Sequence, residues 1–151
     1  MNNIKCQRIE SDDVLKDCAE VLVKAYNSEP WNDNWTKEKA LEKLECFYNS
    51  PRFIGLMVWE EDSLVGCCIG NIEPYYMGDY YYVKEMFVSP EYQNKGIGRK
   101  LMESIKKELN EINIKTIILF TGKDFFPYRF YLKSGFSEME EMRMMSFGET
   151  E

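Results

Sequence analysis

The sequence predicts a single α+β domain, α/β-like in one segment, whose mixed and mostly antiparallel central sheet is flanked by helices in the order βααβββαβαβ. Three observations lead there. Two segments with apolar residues at helical spacing follow one short strand near the N-terminus. Three strand-like runs then succeed one another across short turns. The last of these leads through a helix into a buried apolar run, as a parallel crossover does. The 151 residues fit one domain, 1–151, with a real core, and no repeat, linker or low-complexity stretch divides them.

A short strand around Ile4 to Ile9 opens the chain. In "SDDVLKDCAEVLVKAY", Val14, Leu15, Cys18, Val21, Leu22 and Ala25 recur at helical spacing behind Ser11, a plausible N-cap. After the loop "NSEPWNDNW", Thr36 caps a second helix with Ala40, Leu41, Leu44, Phe47 and Tyr48 on its apolar face, and "NSP" ends it. "RFIGLMVW" and "LVGCCIGNI" flank "EEDS" as a hairpin, and "DYYYVKEMFV" gives a further strand after the turn around "MGD". The helix from Ile97 to about Asn110 buries Ile97, Leu101, Met102, Ile105 and Leu109, and "KTIILFT" is the strand beyond it. "DFFPYRFYLKSGF" reads as a short helix with a left-handed C-cap at Gly135, and "MEEMRMMSF" as a last strand.

Composition narrows the function. With 26 acidic against 19 basic residues the formal charge is −7, which argues against nucleic acid, whose phosphates call for a basic face, and suits a cationic or amine substrate better. No histidine is present, so the usual general base, the Ser-His-Asp and Cys-His arrangements and every His-containing metal site are excluded; no metal is expected, and acid–base chemistry falls to Glu, Asp, Tyr or water. The five cysteines, Cys6, Cys18, Cys46, Cys67 and Cys68, lack C-x-x-C spacing, and their odd number and apolar settings suit reduced core thiols in a cytoplasmic protein. No apolar run approaches the ~20 residues of a membrane span, and "MNNIKCQRIE" lacks the apolar core of a signal peptide.

The stretch "MFVSPEYQNKGIGRKLMESIKKEL" passes from a strand through two close glycines into an amphipathic helix. A helix entered this way exposes backbone N–H groups that no side chain shields, and such clusters bind anions, most often phosphates. The spacing is neither that of a P-loop, G-x-x-x-x-G-K-[ST], nor that of a dinucleotide fingerprint, whose third glycine position is taken by Leu101.

The longer string "VSPEYQNKGIGRKL" closely resembles the Q/R-x-x-G-x-G/A element of the GNAT superfamily of acyl-CoA N-acyltransferases, with Gln93, Gly96 and Gly98 in its defining places. "FYLKSGF" at 130–136 is similar to that family's C-terminal F-Y-x-x-x-G-F element, and the element order agrees along essentially the full chain. The resemblance implies acetyl-CoA as cosubstrate. Its pyrophosphate would lie over the N–H groups of Asn94, Lys95, Gly96, Ile97, Gly98 and Arg99, and its pantetheine arm would run along the backbone of Met86, Phe87 and Val88 as an added strand.

Acetyl transfer to an amine needs a neutral nucleophile, stabilisation of the tetrahedral oxyanion and a proton for the departing thiolate. Tyr131 matches the family's general-acid tyrosine; the alternative reading of the residue is a packing aromatic. Tyr128, three residues earlier on a neighbouring part of the same helical face, reads as structural, with an exchange of the two roles as the alternative. Glu85 stands where family members often carry a carboxylate that deprotonates the amine through water, and is otherwise a carboxylate on a half-exposed strand. In a regular strand Val83, Glu85 and Phe87 share a face, whereas a bulge would change the face Glu85 uses. The oxyanion donor would be a backbone N–H near Met86 to Val88. Asp124 stands where relatives often place a polar residue touching the CoA arm, or it caps the following helix.

The family's acceptor side is built by the loop between the first two helices and the turn before the fourth strand. Here these carry Glu29, Asp33, Glu73 and Asp79 with Trp31, Trp35, Tyr75 and Tyr76, a mixture suited to a cation or polyamine. The tryptophans can instead staple the helices, and the tyrosines pair across strands. A small primary amine is therefore the expected partner. "FTGKD" with "PYRFYLKSGF" is similar to part of some aminoglycoside 6'-N-acetyltransferases, which keeps an aminoglycoside open as the acceptor; a protein N-terminus or lysine, and a non-catalytic acyl-CoA-binding module, are further readings. The Met-rich last strand either closes the sheet or pairs across a homodimer.

Overall fold

In the computed structural model, which describes residues 3–123 and 125–148, the sheet is built by strands β1 (Ile4–Arg8), β2 (Phe53–Glu60), β3 (Ser63–Glu73), β4 (Tyr80–Val88) and β5 (Thr116–Ile118), in the spatial order β1-β2-β3-β4-β5. The first four run antiparallel to their neighbours, and β5 pairs parallel to β4 across α3 (Ile97–Glu111). Helices α1 (Leu15–Tyr26) and α2 (Lys37–Tyr48) precede β2, and α4 (Phe126–Lys133) follows β5. This is the mixed sheet expected, and the order of elements holds through α4. None of the described helices is long and apolar enough to cross a membrane.

The predicted caps form. Ser11 Oγ accepts from the Asp13 N–H at 3.1 Å and Thr36 Oγ1 from the Lys39 N–H at 3.1 Å, each satisfying a donor that a helical turn leaves open.

The chain divides into two compact units, Met1–Phe120 and Thr121–Glu151. In the first, one sheet face meets α1 and α2: Met57, Cys67, Ile69 and Phe87 join Leu15, Cys18, Leu22, Ala25, Ala40 and Leu44 in one buried cluster. Alternation along the strands turns Leu56, Val58 and Cys68 the other way. On that side lies α3, which buries Ile97, Leu101, Met102, Ile105 and Leu109, the five residues its sequence periodicity selected.

The second unit contains α4 and a sharply defined helix end. Gly135, at φ 98°, donates to the Leu132 carbonyl at 3.1 Å, and the Phe136 N–H donates to the Tyr131 carbonyl at 3.0 Å. This is the paired hydrogen bonding of a Schellman motif, and the rings of Phe136 and Tyr131, with centroids 5.5 Å apart, make its customary hydrophobic contact.

Two expectations are corrected. Residues 139–147 form no strand among the described residues. Met139, Met142, Met144, Met145 and Phe147 are exposed, so the ordering of a ladder is offset by no burial there. The cysteines are also not all core thiols: Cys18, Cys67 and Cys68 are buried, Cys6 is half-buried and Cys46 is exposed on α2. Burial pushes the Cys68 thiol up to about 12 and raises that of Cys67 well above its ordinary value. A disulfide-exchange reagent at neutral pH is therefore expected to label Cys46 rapidly and Cys18, Cys67 and Cys68 only on unfolding, as read by mass spectrometry of quenched time points.

Tyr81 is fully buried and donates to the Ile54 carbonyl at 2.7 Å, and burial, then the neighbouring Cys68, raises its phenol well above its ordinary value. Because the folded state holds this proton more tightly than the unfolded chain, the associated stability is complete below the unfolded value of about 10 and is lost as pH rises above it. Tyr81→Phe should cost about 1–2 kcal/mol at neutral pH, since the Ile54 carbonyl loses its donor, and should flatten the alkaline fall in stability. Urea unfolding of both proteins from pH 7 to 11 checks this.

Candidate active site

A β-bulge in β4 organises the site. Ile69 pairs with Glu85 but the next residue, Gly70, pairs with Val83, so Lys84 is an extra residue without a direct partner on β3. The bulge resets the alternation: Phe87 lies in the cluster with α1 and α2, while Tyr81 and Val83 are buried outside it. Glu85 goes with Phe87, reaching residues of both α1 and α2. The common face expected for Val83, Glu85 and Phe87 in a regular strand is thus overturned. Gly70 permits this arrangement, because a Cβ there would run into the Tyr82 carbonyl oxygen and the Tyr81 ring.

The same region is where β4 parts from β5. Their pairing covers only Tyr80–Tyr82 with Thr116–Ile118. Farther along, Met86, Phe87 and Val88 pair with Cys68, Cys67 and Gly66 on one side, and no strand of the described residues pairs with their other edge. That edge of the segment therefore carries no ladder hydrogen bonds to a described strand, and two of its carbonyls, those of Met86 and Val88, accept from the side chains of Tyr26 and Gln93 instead.

That open edge runs into the glycine turn. Asn94 and Gly96 take left-handed backbone angles, φ 62° and 84°, and Gly96 begins α3 with no side-chain cap. The first intrahelical bond is made by the Lys100 N–H to the Gly96 carbonyl at 3.0 Å, so the N–H groups of Ile97, Gly98 and Arg99 have no helical partner. A Cβ on Gly96 would meet nothing within 4 Å; its requirement for glycine is the backbone angle rather than crowding. Lys95, Arg99 and Lys100 are exposed around the turn and add positive charge to the helix end. Gln93 Nε2 donates to the Val88 carbonyl at 3.0 Å, tying the turn to the end of β4.

Glu85 is engaged on both oxygens. Tyr26 Oη donates to Oε1 at 2.8 Å and lies 3.3 Å from the Met86 carbonyl, while Lys43 Nζ is 2.9 Å from Oε2. The Glu85 side chain is 11% exposed and that of Lys43 35%, so this ion pair is shielded far more than a surface one. Trp31 packs edge-on against Tyr26 at 5.2 Å. Trp35 is fixed through its main chain, its N–H donating to Asn27 Oδ1 at 2.8 Å and its carbonyl accepting from Asn27 Nδ2 at 3.0 Å. Lys43 Nζ stands 5.1 Å from the Trp35 ring centroid and 5.9 Å from that of Phe47.

Of the other predicted acceptor residues, Asp33 adjoins this cluster, its N–H donating to the Tyr26 carbonyl at 2.8 Å, while the residues at the start of β4 lie elsewhere. Tyr75 and Tyr76 are exposed and pack on each other at 4.7 Å, at the opposite end of β4 from Met86 to Val88. Two of the carboxylates proposed to attract a cation are already paired. Asp79 lies 2.8 Å from Arg52, whose guanidinium holds its carboxyl below the usual carboxylate value, and Glu73 is held by the Tyr80 hydroxyl at 3.0 Å and Lys84 at 3.6 Å. Asp33 accepts from the Trp35 indole at 3.1 Å, and Glu29 is exposed. In the second unit Tyr131 is buried, its ring between those of Phe130 and Phe136. Tyr128 donates to Glu138 at 3.0 Å, in keeping with a structural part. Asp124 lies outside the described residues. Among the described residues no group of three His, Cys, Asp or Glu side chains could hold a metal.

Tyr26 and Lys43 were missed in the sequence. A signal for Lys43 exists, since it stands three residues after Ala40 and four before Phe47, a charge on the apolar face of α2.

Comparison with known proteins agrees with this architecture. The sequence model of the Acetyltransferase (GNAT) family matches residues 16–136, across both units. A search of curated proteins gives no significant match. Among solved structures, the aminoglycoside N-acetyltransferase AAC(6')-Iy in complex with CoA superposes with a TM-score of 0.75 at 12% identity, covering 99% of this chain and 96% of that one. The 6'-N-acetyltransferase AAC(6')-Ih from Acinetobacter baumannii gives 0.72 at 16% identity, covering 98% and 99%. Glucosamine-6-phosphate N-acetyltransferase from Arabidopsis thaliana gives 0.69 at 16%, covering 97% and 99%. At these identities the structural likeness speaks for the fold, and the family match, spanning most of the sequence and holding both the glycine turn and the Tyr131 element, establishes that the chain belongs to the acetyltransferase (GNAT) family.

Proposed function

We propose that this acetyltransferase moves the acetyl group of acetyl-CoA to a primary amine of a small, cationic acceptor by direct attack in a ternary complex. One observation carries the cosubstrate: the edge of β4 at Met86–Val88, which no strand among the described residues pairs, leads straight into the glycine-entered N-terminus of α3, which has no side-chain cap. Strand-edge hydrogen bonding suits an extended amide-bearing arm, and open N–H groups at a helix N-terminus suit a pyrophosphate. The similar AAC(6')-Iy structure is itself a complex with CoA, which supports the same choice.

In this reading the acceptor amine, once neutral, attacks the thioester carbonyl. A backbone N–H of Met86 to Val88 donates to the oxyanion, the C–S bond breaks, and Tyr131 supplies a hydrogen bond or proton to the departing thiolate. A phenol of pKa about 10 is a weak acid toward a thiolate of pKa near 8.5, so hydrogen bonding is the larger part of its contribution. Glu85, directly or through water, accepts the proton that the amine gives up. Glu85 is the carboxylate best placed for this, since Tyr26 ties it to the Met86 carbonyl. Several of the similar structures are aminoglycoside acetyltransferases, which favours an aminoglycoside as the specific acceptor; it belongs to the same class of cationic primary amines.

The cosubstrate is tested first by thermal unfolding. Acetyl-CoA at 100 times its Kd should add about 2.7 kcal/mol and raise Tm by several degrees, and no rise at millimolar acetyl-CoA would remove the reading.

Turnover is then followed as CoA thiol release against a panel of polyamines and aminoglycosides, with Cys46→Ser removing the exposed thiol that would otherwise consume the reagent. In that background Tyr131→Phe and Glu85→Gln should each lower kcat by about 10²-fold or more while leaving the acetyl-CoA thermal shift nearly unchanged. Equal, small losses in turnover and cofactor affinity would refute the assigned roles.

A further inference from the structure

The arrangement around Lys43 resembles a cation site with its ligand in place. The ammonium is 2.9 Å from a carboxylate oxygen of Glu85 and stands 5.1 and 5.9 Å from the ring centroids of Trp35 and Phe47. A carboxylate opposed to aromatic rings is the chemistry that selects an ammonium over a neutral group. Two of the walls, Glu85 and Trp35, are held independently of Lys43. Tyr26 fixes the other oxygen of Glu85 at 2.8 Å, and Asn27 clamps the Trp35 main chain with two hydrogen bonds. The occupant is the least constrained part, a flexible four-carbon stem whose side chain is 35% exposed where that of Glu85 is 11% exposed.

We propose that the notch formed by Glu85, Trp35 and Phe47 is the subsite for a primary alkylammonium group of the acceptor, and that Lys43 is its internal occupant in the free protein. The incoming ammonium displaces Lys43, whose stem is long enough to carry its charge out to solvent. This rests on the acetyltransferase reading and specifies its acceptor side. Glu85 is the residue next to Met86, so the subsite adjoins the strand edge assigned to the acyl arm. The selected class is protonated primary amines, with neutral molecules of the same shape rejected. Lys43 also has a consequence for specificity: an acceptor must compete with a tethered ammonium, so singly charged amines bind poorly and polycations, which gain contacts beyond the notch, are favoured.

The experiment uses n-butylammonium, the analogue of the lysine side chain, titrated without acetyl-CoA into the full chain and followed by tryptophan fluorescence, with n-butanol as the neutral counterpart. Lys43→Ala should bind n-butylammonium at least about tenfold more tightly than wild type and show no gain for n-butanol. Adding Glu85→Gln to Lys43→Ala should abolish the gain. Lys43→Ser, which also empties the notch and keeps a polar group at its partly exposed rim, serves in place of Lys43→Ala should the latter fail to fold, as judged by circular dichroism. Equal n-butylammonium affinity in wild type and variants, an equal gain for n-butanol, or a gain that survives Glu85→Gln would each overturn the proposal. Acetyl-CoA thermal shifts on the same proteins separate the two readings: a shift without the ammonium gain leaves the acetyltransferase reading standing alone, and the reverse removes that reading while the notch remains.

Discussion

One irregularity in one strand governs the site. Lys84 is the extra residue of the β4 bulge, and without it Glu85 would stay in step with Val83, away from α1 and α2. The bulge also adds local twist to the strand, and beyond it β4 has no strand partner on its β5 side among the described residues. The turn of Glu85 toward Tyr26 and Lys43 therefore follows from a single inserted residue, at the point where β4 has parted from β5. Gly70 across from it supplies the room, since the pairing strand must pass close to the Tyr82 carbonyl.

The glycine turn extends the same device, and under the proposed function it would recognise its ligand by backbone. Gly96 contributes an angle that L side chains seldom adopt, and Gln93 contributes a hydrogen bond to Val88 that fixes the turn against the strand end. Neither need touch a ligand to matter. The groups left to meet a ligand are N–H donors whose direction is set by α3, and α3 in turn is held by five buried residues on the sheet.

This accounts for what could be read in the sequence. Helices were legible because their apolar spacing reports burial: every buried residue of α3 was marked by its period, and the caps Ser11 and Thr36 by their chemistry. The glycine turn was legible because a backbone angle leaves a residue-type signature. The bulge was not, because its cause is the pairing of β4 with β3, and "YYYVKEMFV" reads equally well as a regular strand. The partners of Glu85 were illegible for a related reason. Tyr26 and Lys43 lie 59 and 42 residues away along the chain (85 − 26 and 85 − 43), and only the packing of two helices on one face brings them together. The tail was misjudged because Met-rich composition signals apolar surface without saying that anything covers it.

The Schellman end of α4 bears on Tyr131 in a further way. An aromatic side chain free to rotate must be ordered each time it is needed. Here the Tyr131 carbonyl is held by the Phe136 N–H, and its ring lies between Phe130 and Phe136. Under the role proposed for Tyr131, the loss of rotamer entropy falls on folding of the chain and not on the arrival of a ligand. Gly135 and Phe136 thus bear on Tyr131 from outside its helix, the one through its left-handed turn and the other through its N–H and its ring.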